Sequence, residues 1–242
     1  MVTGGAEPEL PILASGRDGD IYEYAPGLVL RKTRDGRSIE REARVMQYVA
    51  ERGYPVPAIE EVRAAGAEIV MERIDGPMMM DAMMKRPWRM PRYVKMLGDL
   101  HDKLHEIEAP SWLPQLPGDG DRLVHLDLHP MNVMLSARGP IVIDWTGAAR
   151  GDPLSDVAMT YVLLTCPSMP APRAVQLLVQ PARLLLAWAF ARRYRGPAFQ
   201  AHLAAAGELK SLDGNMAPDE VENCLRLAAR ARARAGALTG EA

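Results

Sequence analysis

The chain has 242 residues, of which 48% are hydrophobic and 25% are charged, the composition of an ordinary globular protein. Its formal net charge of −2 gives no support to nucleic-acid binding, and we expect no nucleic-acid partner. The first residues lack the basic start and apolar core of a signal peptide, and the apolar stretch at 174–191 is interrupted by Gln, Pro and Arg, so we expect a cytoplasmic protein that does not enter a membrane.

The first third of the chain alternates strand-like runs with turns. Five strands are predicted, at residues 11–15, 20–24, 28–33, 58–62 and 68–74. Between the third and fourth lies SIEREARVMQYVAERG, whose apolar residues recur with helical periodicity. Ser38 is predicted as the N-cap of this helix. The pattern indicates a small β-rich lobe with one helix.

Helical patterns dominate after Asp75-Gly76-Pro77. Residues 91–107 form one amphipathic pattern, and the chain from residue 153 onward is helical with breaks at Gly and Pro. The predicted fold class is therefore α+β, with a small N-terminal lobe at residues 1–74, a hinge at about 71–76 and a larger, mainly helical lobe at 75–242.

The segment HLDLHPMNVMLSARGPIVIDW contains the most informative group of polar residues. Two apolar strands flank the turn SARGP, and a hairpin about that turn would bring Asn132 and Asp144 side by side. Two oxygen ligands from neighbouring positions suit a hard cation such as Mg²⁺. Asp127 lies on the same loop, where its carboxylate can orient a substrate hydroxyl or act as its base.

This pattern resembles the aminoglycoside phosphotransferase family and its choline-kinase-like relatives, which share a two-lobed protein-kinase-like fold. H-x-D-x-x-x-x-N is the catalytic loop of that family, and I-D followed by an aromatic residue stands where protein kinases have D-F-G. The resemblance implies that Asp127 is the catalytic aspartate and that Asn132 and Asp144 hold Mg²⁺. It also implies that His125 supports the loop and that Asp156, in GDPLSDVA, buttresses the loop backbone.

The resemblance extends to the N-terminal lobe. It implies that Glu42 holds a strand cation against the α- and β-phosphates of a nucleotide. Arg31 aligns best with the position of that cation, while Lys32 is the alternative and would face the other side of the strand. The carbonyl of Glu72 and the amide of Ile74 would bind adenine at the hinge.

Two further positions bear on the resemblance. Gly16 and Gly19 lie in the loop SGRDGDIY, where kinases place a loop over the phosphates, and the chain has no Walker motif. Leu126 departs from the family, because many members have glycine in H-G-D. The implied activity is Mg²⁺-assisted transfer of the γ-phosphoryl group of ATP or GTP to a hydroxyl of a small molecule. The sequence does not determine the oligomeric state.

Two other classes of function compete with this one. The pairs His101/His105 and His125/His129 could form a zinc hydrolase, although HDKLH lacks the glutamate of H-E-x-x-H. In that hypothesis Asn132 has no role, and we expect His101 and His105 to be packing residues. The third class is a catalytically silent nucleotide-binding pseudokinase.

The charge of the last third of the chain bears on the acceptor. From residue 157 onward there are ten Lys/Arg and six Asp/Glu. A pocket for a polycationic aminoglycoside should be acidic, so we expect a neutral or anionic acceptor. Arg226, Arg230 and Arg234 lie four residues apart on one helix face, which predicts a solvated surface or, alternatively, a site for a phosphate- or acid-bearing ligand.

Overall fold

The computed structural model describes residues 10–16, 19–168 and 173–239. The chain divides into two compact units. The N-terminal unit comprises the residues up to Gly76 together with Ser136–Thr146, and the C-terminal unit comprises Pro77–Leu135 and the residues from Gly147 onward. None of the described helices combines the length and apolar character needed to cross a membrane.

The N-terminal unit is built on an antiparallel sheet of five strands in the order β1-β2-β3-β5-β4. Its strands are β1 (Ile12–Ser15), β2 (Gly19–Ala25), β3 (Leu28–Thr33), β4 (Ile59–Arg63) and β5 (Glu68–Glu72). Strand β3 lies in the middle, and its residue Arg31 is opposite Ile21 on β2 and Ile69 on β5. The five predicted strands are confirmed, with ends shifted by one or two residues.

One helix, α1 (Glu40–Ala50), covers this sheet. Ala43 on α1 packs with Ile39 and with Ile69 of β5 in a buried apolar cluster, as the helical periodicity requires. The predicted N-cap is wrong by one residue: the cap position is Ile39, which makes no side-chain cap bond. Ser38 Oγ instead accepts a hydrogen bond of 3.3 Å from Glu40 N, because the chain turns just before the helix.

The segment Ser136–Thr146 belongs to the N-terminal unit, although in sequence it comes after Pro77–Leu135 of the C-terminal unit. Strand β7 (Val133–Ser136) ends where this segment begins, and β8 (Gly139–Val142) lies within it. Val142 N donates to the Pro55 carbonyl over 2.8 Å. The sequence predicted one boundary between the lobes, at residues 74 and 75, and the structure differs from that prediction in this segment. A chain can return to an earlier unit, and no local sequence pattern indicates such a return.

The C-terminal unit is mainly helical, with one small antiparallel sheet of β6 and β9. Its elements are α2 (Met79–Lys85), α3 (Met90–His105), β6 (Arg122–Val124), β9 (Ala149–Gly151), α4 (Pro153–Thr165), α5 (Arg173–Ala191), α6 (Pro197–Ser211) and α7 (Pro218–Thr239). Helix α4 contacts α3, α5, α6 and β6. It begins with Asp152, whose side chain accepts from Leu154 N over 2.7 Å, and with Pro153 in its first turn.

Candidate functional site

The loop that follows β6 is anchored by apolar burial. Leu123 and Val124 at the end of β6 are completely buried, and so is His125 directly after them. His125 Nδ1 accepts a hydrogen bond of 3.2 Å from Asp127 N. The loop therefore leaves a rigid strand, and its first turn is closed by a side chain rather than by solvent.

Asp127 is held by the side chains of its own loop. Asn132 Nδ2 donates to Asp127 Oδ2 over 2.7 Å and to the Asp127 carbonyl over 2.9 Å. His129 Nδ1 accepts from Met131 N over 3.2 Å, so its Nε2 carries a proton and points at Asp127 Oδ1 over 3.4 Å. The Asn132 amide nitrogen is thus committed to Asp127, which leaves the amide oxygen for a ligand.

The pKa of Asp127 lies below its ordinary value. Burial of the carboxyl group acts to raise this pKa, but the hydrogen bonds from His129 and Asn132 and the nearby His125 outweigh burial. Asp127 is therefore an ionised carboxylate at neutral pH, and both of its oxygens are oriented.

Asp156, at the start of α4, holds the backbone on one side of Asp127. Its Oδ1 accepts a hydrogen bond of 2.7 Å from Leu126 N. Leu126 has a φ of +62°, the left-handed conformation that glycine adopts more easily. A leucine in this conformation is strained, and the bond to Asp156 opposes that strain.

Thr160, one turn further along α4, holds the backbone on the other side. Its Oγ1 donates to the Leu128 carbonyl over 2.8 Å. That hydroxyl has only one proton, so it must accept from His101 Nε2, which lies 3.1 Å away. Together Asp156 and Thr160 clamp the loop at both neighbours of Asp127.

The two histidines of α3 take part in this clamp, whereas the sequence predicted packing residues. His105 Nε2 lies 3.0 Å from Asp156 Oδ2, and His101 Nδ1 lies 3.5 Å from the same oxygen. Sequence reasoning also missed Thr160. The available signal was spacing, since Thr160 follows Asp156 by one helical turn and the histidines of HDKLH are one turn apart.

The positions of His101, His105 and Asp156 also bear on the zinc hypothesis. Within the described residues, the group of three that could hold a metal is His101, His105 and Asp156, with ligand atoms within 4.8 Å of one another. His129 points instead at Asp127. The two histidine pairs therefore do not meet in one site, and Asp156 already accepts a backbone N–H.

The N-terminal unit contains the other candidate residues. Arg31 Nη1 pairs with Glu42 Oε1, and Glu42 is only 3% exposed. Lys32 pairs with Glu68 over 2.8 Å, and half of its side chain is exposed. The register of β3 therefore directs Arg31 to Glu42 and Lys32 to the other face, while their roles toward a nucleotide stay predictions.

Glu42 also binds the segment that carries Asp144. Trp145 N donates to Glu42 Oε1 over 3.2 Å, and the buried Trp145 ring meets Tyr54 edge-on with centroids 5.5 Å apart. Thr146 Oγ1 lies 3.1 Å from Glu42 Oε2 and 3.0 Å from Asp144 Oδ1. One hydroxyl proton can serve only one of these two carboxylates at a time.

This arrangement raises the pKa of Glu42. Burial is the largest cause, and the charge of Asp144 adds to it. The ion pair with Arg31 and the hydroxyl of Thr146 act in the opposite direction and only partly offset burial. Asp144 itself has a φ of +64°, so its backbone is strained at the residue where a ligand is predicted.

The remaining predicted nucleotide contacts lie at the ends of strands. Glu72 ends β5, and its carboxylate accepts from Ala58 N over 3.1 Å. In the described part of the chain the amide of Ile74 makes no hydrogen bond, which suits a donor to adenine. Gly16 N donates to the Gly19 carbonyl over 2.9 Å. A Cβ at Gly19 would lie 2.3 Å from the Lys32 carbonyl, so strand pairing alone requires this glycine.

The architecture is α+β and protein-kinase-like, and the predicted fold class is confirmed. A model of the phosphotransferase enzyme family matches residues 85–194, which confirms the resemblance read from the catalytic-loop motif. A search of curated proteins found no match.

Solved structures share this fold at low sequence identity. A choline/ethanolamine kinase family protein from Mesorhizobium loti is 17% identical with a TM-score of 0.53, and the match covers 98% of this chain and 90% of that one. The gentamicin complex of the aminoglycoside phosphotransferase APH(2")-IIa is 14% identical with a TM-score of 0.57, covering 94% and 91%. The amicoumacin kinase hAmiN, in complex with AMP-PNP and Ca²⁺, is 17% identical with a TM-score of 0.51, covering 94% and 89%.

Proposed function

We propose that the protein is a small-molecule kinase that transfers the γ-phosphoryl group of ATP or GTP to a hydroxyl group. The observation that carries this proposal is the clamped loop, in which Asn132 holds the Asp127 carboxylate. Asp156 and Thr160 hold the backbone on either side. Phosphoryl transfer requires positioning above all, because the protein does little covalent chemistry. The family match and the nucleotide-bound kinases of the same fold support this class.

In the proposed reaction Asp127 orients the acceptor hydroxyl and finally takes its proton. The lowered pKa makes this carboxylate a weak base, which suits proton transfer late in the reaction, when the oxygen is already bonding to phosphorus. The hydrogen bond from Asn132 fixes one carboxylate oxygen. The carboxylate therefore has a defined direction in which to accept a hydroxyl group.

The donor atoms also fit Mg²⁺, which we propose is held by Asn132 and Asp144. The Asn132 amide nitrogen is committed to Asp127, so its oxygen is the atom left for a metal. Glu42 and Asp144 share one threonine proton, and a nearby dication would offset their like charges. When bound, Mg²⁺ would neutralise phosphate oxygens.

The N-terminal unit supplies the proposed nucleotide contacts. Arg31 is oriented by Glu42, and its planar guanidinium suits phosphate oxygens. The Ile74 amide is the proposed donor to the base, and the Glu72 carbonyl the proposed acceptor. The loop that contains Gly16 and Gly19 is proposed to lie over the phosphates.

The proposal is tested by replacing Asp127 with its uncharged isostere. ADP release should be assayed with Mg·ATP and a panel of hydroxyl metabolites and antibiotics. Asp127→Asn should lower kcat by about 10²- to 10⁴-fold while the protein still unfolds in one cooperative thermal transition, because it removes the proton acceptor and little packing. The matched control is Asp121→Asn, at an exposed carboxylate paired with Arg122. Full activity of Asp127→Asn would exclude the mechanism.

The proposed acceptor is neutral or anionic, because the carboxylates near the start of α7 are already engaged. Glu220 accepts from the backbone N–H groups of Ser168 and Ala217 over 2.7 and 2.9 Å. Asp219 accepts from the Ser168 hydroxyl, and Glu222 pairs with Arg226 over 3.5 Å. Each amine of a polycation needs a nearby carboxylate to offset its desolvation.

This assignment is tested by steady-state kinetics on kanamycin-like aminoglycosides. We expect no appreciable turnover of these polycations, and turnover of a neutral or anionic hydroxyl compound from the panel instead. Glu222→Gln is the informative variant if any aminoglycoside reacts. Efficient aminoglycoside turnover that this variant weakens would contradict the proposed acceptor class but leave the kinase assignment intact.

A further inference from the structure

A cavity of about 500 Å³ lies among α4, α5, α6 and α7 in the C-terminal unit. A second cavity of about 350 Å³ borders the same two side chains, Tyr161 and Arg234. The walls of the first include the rings of Trp188 and Phe199, and Trp188 is 51% exposed. The volume and the aromatic walls suit a small organic molecule.

The charged residues that line these cavities all have the same sign. Five arginines line them, namely Arg192, Arg195, Arg226, Arg230 and Arg234, and among the described residues no Asp or Glu does. A cavity that combines aromatic walls with several guanidinium groups is complementary to an anion attached to an apolar body.

Among the described residues, most of these arginines have no acidic partner. Arg226 pairs with Glu222, whereas Arg195, Arg230 and Arg234 form no ion pair in the part of the chain that the structure describes. Arg232, two residues before Arg234, pairs with Glu208. Several guanidiniums without an ion pair among the described residues therefore line the same cavities, where a bound anion would relieve their mutual repulsion.

The cavities and the catalytic loop use different faces of α4. Asp156 and Thr160 bind the loop, and Tyr161 and Thr165 line the cavities. Successive helical residues are about 100° apart, so the two pairs are centred about 140° apart around the axis. A molecule in the cavities is therefore separated from Asp127 by α4 itself.

We propose that these cavities form a second ligand site, which binds an aromatic or aliphatic molecule carrying a phosphate, sulfate or carboxylate group. The arginines bind the anionic group, and Trp188 and Phe199 contact the apolar body. This site is additional to the proposed transfer reaction, and a ligand there contacts the face of α4 opposite the clamped loop. The arginine stripe on α7 is thus a ligand surface.

The test measures binding by calorimetry, in the absence of acceptor, with 1-naphthyl phosphate and 1-naphthoate as probes. Both anions should bind, and 1-naphthol, the neutral match, should bind at least about tenfold more weakly because it cannot engage the guanidiniums. The double variant Arg195→Gln/Arg234→Gln should weaken binding of the anions by about tenfold or more. The matched control Arg232→Gln, on the same helix but paired with Glu208, should bind like the unmodified protein.

Two further measurements separate this site from the nucleotide site and show whether charge drives the binding. Saturating AMP-PNP should leave anion binding unchanged, and added NaCl should weaken binding of the anions but not of 1-naphthol. The proposal is overturned by equal affinity for 1-naphthol, by full affinity of the double variant, by displacement with AMP-PNP, or by no heat at millimolar probe. Because no turnover is measured, failure of the kinase proposal would leave this test unaffected.

Discussion

Each unit of the protein contains one buried carboxylate that holds the backbone next to a candidate aspartate. In the N-terminal unit Glu42, 3% exposed, accepts from Trp145 N, directly after Asp144. In the C-terminal unit Asp156, 0% exposed, accepts from Leu126 N, directly before Asp127. The two carboxylates share burial and the kind of bond they accept, but their pKa values are shifted in opposite directions.

The pKa of Glu42 is raised, whereas the pKa of Asp156 lies well below its ordinary value. Burial is the largest influence on both and acts to raise both. At Asp156 the nearby His101 and the hydrogen bond with His105 outweigh burial. At Glu42 the ion pair with Arg31 offsets burial only in part, and the like charge of Asp144 adds to burial. Burial alone therefore does not set the direction of a carboxylate's pKa shift, because the balance between burial and the neighbouring charges and hydrogen bonds decides it.

The largest expected effect follows from neutralising these two carboxylates. Asp156→Asn should lower the free energy of unfolding by about 3 kcal/mol, because it removes an ionised partner from a buried network. Glu42→Gln should cost less, because burial raises the pKa of Glu42 and so already penalises its ionised form. Urea denaturation of both variants between pH 4 and pH 7 measures the two effects.

The pH dependence should differ between the two variants. The stability from ionised Asp156 is present above pH 3.8 and is lost only as pH falls through its lower folded pKa, so the effect of Asp156→Asn should be constant from pH 4 to pH 7. Glu42 has a raised pKa, so its contribution is fully present below pH 4.5 and is lost as pH rises through the folded pKa. The effect of Glu42→Gln should therefore shrink with rising pH, and an effect that grows would contradict the comparison.

A smaller loss of stability is expected from replacing Arg31, the cation whose ion pair partly offsets the effect of burial on the pKa of Glu42. Arg31→Gln should destabilise the protein by about 2 kcal/mol, because it leaves a buried carboxylate without its ion pair. It should also raise the KM for ATP, because it removes the proposed phosphate contact. Lys32→Gln is the matched control and should cost less than about 1 kcal/mol, since its pair with Glu68 is half exposed. Denaturation and ATP kinetics measure both, and the reverse ranking would show that Lys32 is the nucleotide cation.

The smallest expected effect concerns Thr160, which acts through the Leu128 backbone. Thr160→Val should cost about 1 kcal/mol of stability and lower kcat by about tenfold with little change in the KM for ATP, because it loosens one side of the Asp127 loop. Thr160→Ser keeps the hydroxyl group and should restore kcat. If Ser and Val lower kcat equally, the methyl packing matters and the hydrogen bond to Leu128 does not.

The local part of the fold could be predicted well. The strands before residue 75 and the helices after residue 153 follow from the periodicity of apolar residues and from Gly and Pro breaks, because these signals act over a few residues. The predicted side-by-side placement of Asn132 and Asp144 stays a prediction, as do the metal and nucleotide roles of the candidate residues. The predicted N-cap of α1 was wrong because the residue types before the helix do not distinguish two turns that differ by one residue.

The sequence by itself determined which residue types stand near one another along the chain, such as Asp127, Asn132 and Asp144, because a short motif is a local spacing. Only the tertiary structure decided what holds them. His105 meets Asp156 across 51 positions, and Trp145 meets Glu42 across 103. Such partners are chosen by packing between distant segments, and a buried polar group takes whichever donor the fold brings within reach. The contacts of His101, His105 and Thr160 with the loop and its clamp could therefore be recognised only from the packing of α3 and α4 behind the loop.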